Sequence, residues 1–265
     1  MRLTLWKTRS QIRKVFVSII LLTLSTKIYC QNTADQLTLN NLNRTLNLAY
    51  NNKISKQTKI DSLEKYFIKL NTIENDSSRL RNRFKIINRF VSLKLDSLEK
   101  IHIDKVKNEA LELNNQYNIA KAYNYLGDYY LREFVLDSAL YYLNKSEKIF
   151  QNKNDNQYLS FNFSAKANIY TYINDYNKAL EYNFKALEQA KKTNRSRPVF
   201  FAYQGIYIAL GELENKKESF KYYKKAIAVL EEKKQQLGDY YYLYKAQAHN
   251  FMGSVYLKTE NHTKA

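Results

Sequence analysis

The stretch that decides the fold is Tyr-Asn-Tyr-Leu-Gly-Asp-Tyr-Tyr, which occupies residues 123–130. Its frame returns further along the chain, and each time a small residue precedes the alanine of a following segment by twelve positions. The three pairs are Gly127 and Ala139, Ala167 and Ala179, and Gly253 and Ala265. A small residue flanked by bulky ones allows two antiparallel helices to cross closely at native packing density. The recurrence therefore predicts a series of similar helix pairs.

The positions that carry this repeat alternate between small residues at the crossings and larger residues that fill the space beside them. They are Tyr123, Leu126, Gly127, Tyr130, Ala139, Ala167, Tyr170, Ala179, Ala186, Ala226, Gly253 and Tyr256. A looser copy places Gly205 and Ile208 ahead of Ser219. The second helices are marked at positions 139, 179, 219 and 265, which indicates a period of about 40 residues.

Turn-forming residues are scarce. The 265 residues include one proline and five glycines, which is too few for the many turns of a β-sandwich or barrel. We therefore expect an all-α fold, a right-handed superhelical solenoid of antiparallel helix pairs with a repeat period of about 40 residues.

These residues resemble the tetratricopeptide repeat (TPR) family, and the segment at residues 174–182, Asn-Asp-Tyr-Asn-Lys-Ala-Leu-Glu-Tyr, is typical of it. The resemblance covers about residues 118–265. The chain departs from the family pattern in its period, which is 40 or more instead of 34 residues. It also has Lys166 where a leucine is expected and Asn183 where an aromatic residue is expected, and it lacks the closing proline.

Upstream of residue 118 the repeat pattern is weaker. The pentapeptide Asp-Ser-Leu-Glu-Lys occurs at residues 61–65 and again at 96–100, and apolar stripes continue at helical spacing. Because Ala265 stands where a second helix begins, we expect the sequence to be a fragment of a longer protein. The predicted segments are a signal peptide at 1–30, a polar tether or irregular segment at 31–57, degenerate helical capping repeats at 58–117, and the TPR array at 118–265, truncated within its last repeat.

Residues 1–30 have the pattern of a signal peptide. Five cations precede an apolar-rich run at residues 15–24, which is shorter than the roughly 20 residues of a membrane-spanning helix. We expect cleavage after Cys30 and export to the periplasm or envelope, with an uncleaved N-terminal membrane anchor as the alternative. Cys30 is the only cysteine, so disulfides and thiolate metal sites are not expected.

Nothing in the sequence indicates catalysis. The three histidines have no metal-ligand spacing, and five dispersed glycines cannot build a phosphate-binding loop. His249 stands at an aromatic position of the repeat, so we expect it to pack in the core. The aromatic run at residues 240–244 is predicted to open a long helix, with an aromatic peptide-binding shelf as the alternative. We expect no catalytic, cofactor-binding or metal-binding residues, and no enzyme activity.

The resemblance implies that a ligand binds the inner, concave face of the first helices. By spacing, that face presents Lys121, Asn124, Asp128, Asn168, Tyr172, Gln247 and Asn250, with Arg132, Ser164 and Lys258 beside them. The alternative is that these residues are simply solvated. We expect Lys121→Ala to leave folding nearly unchanged, because Lys121 is predicted to lie on this solvated face.

The implied partner is a protein or peptide. An acidic one is favoured by the formal charge of +18, of which +12 remains without residues 1–30. Nucleic acid is not expected, because the cations are scattered and export would separate the protein from it. Contact with a membrane is expected only through the N-terminus or a missing C-terminal segment. The sequence leaves the oligomeric state open.

Two functions fit this reading. The first is an exported scaffold that binds a protein partner without catalysis. The alternative is the sensory input region of a bacterial membrane signalling protein, whose histidine kinase or DNA-binding output would lie beyond residue 265. The composition of the chain resembles the exported TPR regions of such proteins in Bacteroidetes, which is an argument by analogy.

Overall fold

The computed structural model describes residues 35–47, 51 and 53–262. These residues form helices and no β-strand, so the predicted all-α fold is confirmed. The helices are α1 (35–47), α2 (Lys56–Lys69), α3 (Asp76–Ser92), α4 (Asp96–Glu112), α5 (Gln116–Arg132), α6 (Leu136–Lys153), α7 (Asn156–Tyr172), α8 (Tyr176–Lys191), α9 (Ser196–Glu212), α10 (Lys216–Glu232), α11 (Lys234–Leu237) and α12 (Asp239–His262). A 3-10 turn at Leu70–Thr72 follows α2. The predicted signal segment at 1–30 and Ala265 lie outside the described residues.

The chain divides into two compact units, Met1–Glu99 and Lys100–Ala265. In the first unit, residues 35–47 form a helix in which Leu42 and Leu46 are buried. The sequence left a polar tether or an irregular first helix open for this segment, and a helix forms at these residues because two apolar side chains one turn apart have a core to enter. Helices α2 and α3 contact each other and bury the predicted apolar stripe of α3, at Leu80, Phe84 and Ile87.

From α3 to α10 the helices start at a constant spacing of 20 residues, from Asp76 to Lys216. The 40-residue period of the sequence is therefore two helix–turn units of equal length. The same spacing appears already at Asp76, upstream of residue 118, where the sequence pattern was too weak to identify the array. Helix α12 breaks the spacing, because the short helix α11 intervenes and α12 starts 43 residues after α9 instead of 40. This accounts for part of the longer last interval of the sequence repeat.

The turns between the helices share one backbone form. A residue with positive φ recurs at six of them: Lys94, Asn114, Phe134, Asn154, Asn174 and Glu214. In several turns the next residue caps the following helix; the side chain of Asp155 accepts a hydrogen bond from the backbone N–H of Tyr158 at 3.0 Å. Asparagine tolerates the left-handed conformation, and Asn or Asp is a preferred N-cap. These two preferences explain the Asn-Asn and Asn-Asp pairs in the turns.

Phe134 departs from this turn chemistry, because it is a bulky residue at a φ of 58°. We expect Phe134→Asn to stabilise the protein by about 1 kcal/mol, since asparagine adopts the left-handed conformation at a lower cost. The melting temperature should rise by about 2–4 °C in thermal denaturation followed by circular dichroism. The reverse change at an equivalent turn, Asn154→Phe, should lower it. A lower melting temperature for Phe134→Asn would contradict the argument.

In the second unit, α5 packs on α6, α7 on α8 and α9 on α10, and successive pairs contact each other. Gly127 lies at a tight crossing, because a Cβ atom added there would be 2.6 Å from Cγ of Leu143. Most of the predicted small positions are fully buried: Ala139, Ala167, Ala179, Ala186 and Ala226. Gly253 has no neighbour within 4 Å of such a Cβ among the described residues. The helix predicted to pack against it would begin near Ala265, outside the described residues.

The contact between Asn183 and Gly205 explains why position 183 lacks the expected aromatic residue and why position 205 is a glycine. Asn183, which replaces an aromatic residue, is buried. A Cβ atom on Gly205 would lie 2.0 Å from Oδ1 of Asn183. Gly205 therefore makes room for Asn183 of the preceding helix pair. The position twelve residues before Ser219 is Tyr207, whose large side chain is buried. Its backbone carbonyl accepts a hydrogen bond from the Ser219 hydroxyl at 2.7 Å. This looser repeat therefore has a large residue at the position where the other three have a small one.

Lys166, which stands where the repeat pattern expects a leucine, also has a structural role. Its side chain is only 3 % exposed and forms an ion pair with Glu147 of α6. Its ammonium also donates a hydrogen bond to Oδ1 of Asn144 at 2.6 Å. A buried charge needs such partners. Lys166 therefore links α7 to α6 by polar contacts at a position where most repeats use apolar packing.

Candidate functional site

The first helices of the second unit form a contiguous row. Helix α5 contacts α7, α7 contacts α9, and α9 contacts α12. At the contact of α9 with α12, a Cβ atom on Gly211 would lie 2.6 Å from a methyl group of Val255. Because these helices adjoin one another directly, side chains that point away from the second helices share one surface.

The predicted binding residues of α5 and α7 lie on this row. Asn124 and Asp128 are one turn apart on α5, and Asn168 and Tyr172 are one turn apart on α7. Asn124 is half-buried, and the other three are exposed. We call these four residues the first-helix stripe.

Asp128 is the acidic member of the first-helix stripe. It forms an ion pair with Arg132 one turn further along α5, and its side chain is 55 % exposed. The surrounding protein nevertheless desolvates the carboxyl and raises its pKa, an effect that the Arg132 guanidinium opposes.

An aromatic corner adjoins the stripe. The rings of Tyr172 and Phe134 lie 5.1 Å apart, and the two side chains are 54 % and 67 % exposed. Phe134 belongs to the turn between α5 and α6, so this corner joins neighbouring helix pairs. Sequence reasoning missed Phe134, because it found no repeat signal at that turn. Asparagines occupy positions 114, 154 and 174, which lie on a 20-residue spacing that also includes position 134. Phe134 is therefore the exception in that series.

Lys121 does not lie where the sequence predicted. Its side chain is only 8 % exposed, and its ammonium lies 5.7 Å from the ring centroid of Tyr158 on α7. The Tyr158 ring in turn stacks on Phe150 at 4.7 Å. The placement of Lys121 on a solvated face is wrong, because α7 covers this position of α5. The expectation that Lys121→Ala leaves folding unchanged loses its basis.

The remaining predicted residues, Gln247 and Asn250, lie on α12. Gln247 is half-buried and Asn250 is exposed. Helix α9 lies in the row between α7 and α12, and at the stripe positions it carries Gln204, which is buried, and Ile208, which packs against the neighbouring core. The polar stripe is therefore interrupted at α9. The structure brings together the predicted residues of α5 and α7 but separates them from those of α12.

The histidine and aromatic predictions on α12 have mixed outcomes. His249 is exposed, and its Nδ1 shares a hydrogen bond of 2.7 Å with the hydroxyl of Tyr223, so the prediction that it packs in the core is wrong. The aromatic run at residues 240–244 opens α12, with Tyr241 and Tyr244 buried and Tyr240 and Tyr242 exposed. Among the described residues, no cluster of His, Cys, Asp and Glu has the arrangement of a metal site.

A membrane span was also sought within the described part of the chain. None of its helices combines the length and the apolar character that crossing a membrane requires.

Comparison with known proteins identifies the architecture. No protein-family model and no curated protein matches the chain. Among solved structures, it is similar to the crystal structure of a variant Podosopora anserina protein assigned as a kinesin light chain, with nearly identical TPR-like repeats. The two chains are 15 % identical, with a TM-score of 0.53, and the match covers 75 % of this chain and 97 % of the other. At this identity the likeness concerns the fold, and it shows that the antiparallel helix pairs of this chain have a TPR-like arrangement.

Proposed function

We propose that this chain is a non-catalytic scaffold that binds a segment of a protein partner on the first-helix stripe. The observation that carries the proposal is the exposed polar and aromatic surface on two first helices that contact each other directly. TPR-like repeats commonly mediate protein–protein interaction. Stacked helix pairs create extended binding surfaces of this kind.

The stripe offers complementary types of contact. The amides of Asn124 and Asn168 both donate and accept hydrogen bonds, so they can pair with the backbone of an extended segment. The corner of Tyr172 and Phe134 provides apolar area for one side chain of the partner. Exposed aromatic residues of this kind are enriched among the residues that dominate binding energy. The ion pair of Asp128 and Arg132 adds a polar rim.

The cellular setting is part of the proposal. The cationic and apolar pattern of residues 1–30 supports export. Mass spectrometry of the mature protein tests it, because cleavage after Cys30 would place the N-terminus at Gln31. An exported scaffold is also compatible with a sensory input region of a bacterial signalling protein. That reading rests on the resemblance of the sequence alone.

The stripe is tested by a triple variant, Asn124→Ala/Asn168→Ala/Tyr172→Ala, after circular dichroism confirms that it folds. Tagged protein should capture partners from an envelope extract after cross-linking, and the triple variant should lose at least one of them. The matched control Asn152→Ala/Asn177→Ala/Tyr242→Ala removes the same residue types from exposed positions elsewhere and should retain the partners. Equal capture by all three proteins would contradict the stripe assignment. Turnover of ATP or of a peptide by the purified chain would contradict the non-catalytic role.

A further inference from the structure

A second surface of the same unit repeats with the 40-residue period. Each second helix carries a tyrosine and, three residues later, an exposed lysine. The residues are Tyr142 and Lys145 on α6, Tyr182 and Lys185 on α8, and Tyr222 and Lys225 on α10. We call these six residues the tyrosine–lysine ladder and each pair a rung.

Each tyrosine of the ladder is held by aromatic contacts. It packs against an aromatic residue of its own first helix, with centroid distances of 5.8 Å for Tyr123–Tyr142, 6.3 Å for Phe163–Tyr182 and 6.1 Å for Tyr203–Tyr222. The first two rungs gain a stacked ring, with Tyr130 at 5.6 Å from Tyr142 and Tyr170 at 5.3 Å from Tyr182. In the third, the ring of Phe184 on the preceding second helix lies 5.8 Å from Tyr222. The tyrosines are therefore fixed in place.

The lysines lie over aromatic rings. The ammonium of Lys145 is 4.4 Å from the ring centroid of Tyr141, that of Lys185 is 4.8 Å from Tyr182, and that of Lys225 is 4.4 Å from Tyr222. Cation–π contacts of this kind attract exposed ammonium groups to the ring face. The lysine side chains are thus partly ordered before any partner arrives, which lowers the entropy lost on binding.

The rungs differ in charge compensation. Lys185 forms an ion pair of 2.5 Å with Glu181, one turn earlier on α8. The positions equivalent to Glu181, four residues before the ladder lysine, are Tyr141 on α6 and Lys221 on α10. Among the described residues, no carboxylate lies within ion-pair distance of Lys145 or Lys225. The outer rungs therefore offer two ordered, exposed ammonium groups that lack a carboxylate.

The ladder does not coincide with the first-helix stripe. At about 100° per residue, Tyr123 and Tyr130 lie roughly 130° around α5 from Asn124 and Asp128. The ladder forms where a first helix meets its own second helix, whereas the stripe lies on the exposed side of the row of first helices. A partner could therefore contact one surface without contacting the other.

The chemistry of the ladder favours an acidic protein segment over nucleic acid. Binding of single-stranded nucleic acid depends largely on bases that stack on free aromatic rings. The tyrosine rings of the ladder already contact neighbouring rings and ammonium groups, so they are not free for bases to stack on. Contacting helix axes lie about 8–10 Å apart. Because the first helices of successive pairs contact each other, successive rungs lie between roughly 10 and 20 Å apart. This spacing is sparse for a nucleic acid backbone, which carries a phosphate every few ångströms, and it matches carboxylates about three to six extended residues apart.

We propose that the tyrosine–lysine ladder binds an extended acidic segment of a protein partner, with carboxylates at the ammonium groups of Lys145 and Lys225. This inference rests on the proposed role as a protein-binding scaffold and names a second surface and the charge of its ligand. The two lysines are separated by two rung intervals, so a bound segment spans about 6–12 extended residues.

A defined peptide tests the proposal. The probe is a fluorescein-labelled peptide of about 14 residues, Gly-Ser based, with a pair of glutamates near each end to match the outer rungs. The same peptide with glutamine in place of glutamate controls for charge. Fluorescence anisotropy at low salt should show binding of the glutamate peptide by the wild-type chain, weakening toward physiological ionic strength.

Substitutions then locate the site. Lys145→Gln/Lys225→Gln should weaken binding about tenfold, because two exposed charge contacts are lost. The double change Lys153→Gln/Lys217→Gln removes the same net charge from exposed positions off the ladder and should have a much smaller effect. Lys185→Gln should also have little effect, because Glu181 already compensates Lys185.

Three results would overturn the ladder proposal: equal losses in the ladder and control variants, equal binding of the glutamine peptide, or tighter binding of an oligothymidine strand through the same lysines. The first-helix stripe variant should bind the peptide like wild type. Failure of peptide binding, together with loss of captured partners in the stripe variant, would contradict the ladder and leave the scaffold proposal standing.

Discussion

The Gly127→Leu variant is expected to lose about 3 kcal/mol or more of unfolding free energy. A Cβ atom alone would lie 2.6 Å from Cγ of Leu143 and 3.4 Å from the carbonyl oxygen of Ala139. The leucine side chain adds three more carbons at the same crossing, so Leu143 must move and α5 and α6 must separate. Overpacking of a filled core costs about 1–3 kcal/mol and occasionally more. Thermal denaturation should show a melting temperature lower by roughly 6–12 °C.

Two controls separate overpacking from the change of residue type. Gly253→Ala adds a Cβ in open space on α12, so it should be neutral or slightly stabilising through helix propensity. The double variant Gly127→Leu/Leu143→Ala removes the neighbour that the new side chain would meet. Its loss should be smaller than the sum of the two single losses, because the residues are in contact. Strict additivity would show that Gly127 and Leu143 do not share the crossing.

The second large effect is expected at Lys166. Replacement by leucine, the residue expected from the repeat pattern, should destabilise the protein by about 2 kcal/mol. The change leaves Glu147 without its ion-pair partner, and the Glu147 side chain is only 20 % exposed. Breaking a buried pair costs about 3–5 kcal/mol, and the partial exposure of Glu147 reduces that figure. Chemical denaturation with urea measures the difference in unfolding free energy.

The double variant Lys166→Leu/Glu147→Leu distinguishes the lost ion pair from lost packing. Replacement of a whole buried pair by apolar residues of similar size is often neutral or stabilising. The double variant should therefore recover most of the stability that the single variant loses. If it is less stable than Lys166→Leu alone, the polar link between α6 and α7 is not what makes the single change harmful.

The periodic part of this structure could be predicted from the sequence because its causes are local. Helix formation follows from scarce turn residues and apolar residues at helical spacing. The close crossing at Gly127 follows from a small residue between tyrosines, and the 40-residue period follows from the recurrence of that pattern. The sequence did not define the helix at residues 35–47, because its few apolar residues are spread among polar ones.

The candidate site was predicted only in part. Helical spacing correctly placed Asp128, Asn168 and Tyr172 on exposed helix faces. It failed for Lys121, which α7 covers, and for His249, which is exposed and bonded to Tyr223. Spacing along one helix gives the direction of a side chain, but burial depends on the neighbouring helix that packs on that direction.

The sequence by itself determined the helices, their pairing and the positions of closest approach, since each follows from residues less than about 40 positions apart. Only the tertiary structure decided how the exceptions are accommodated: Gly205 admits the buried Asn183, and Lys166 finds Glu147 on another helix. It also showed the ladder, whose residues recur plainly in the sequence but acquire meaning through rings stacked between helices. The physical reason is that close packing and charge compensation join side chains of different helices. The repeat brings such positions together, and the identity of both partners determines the contact.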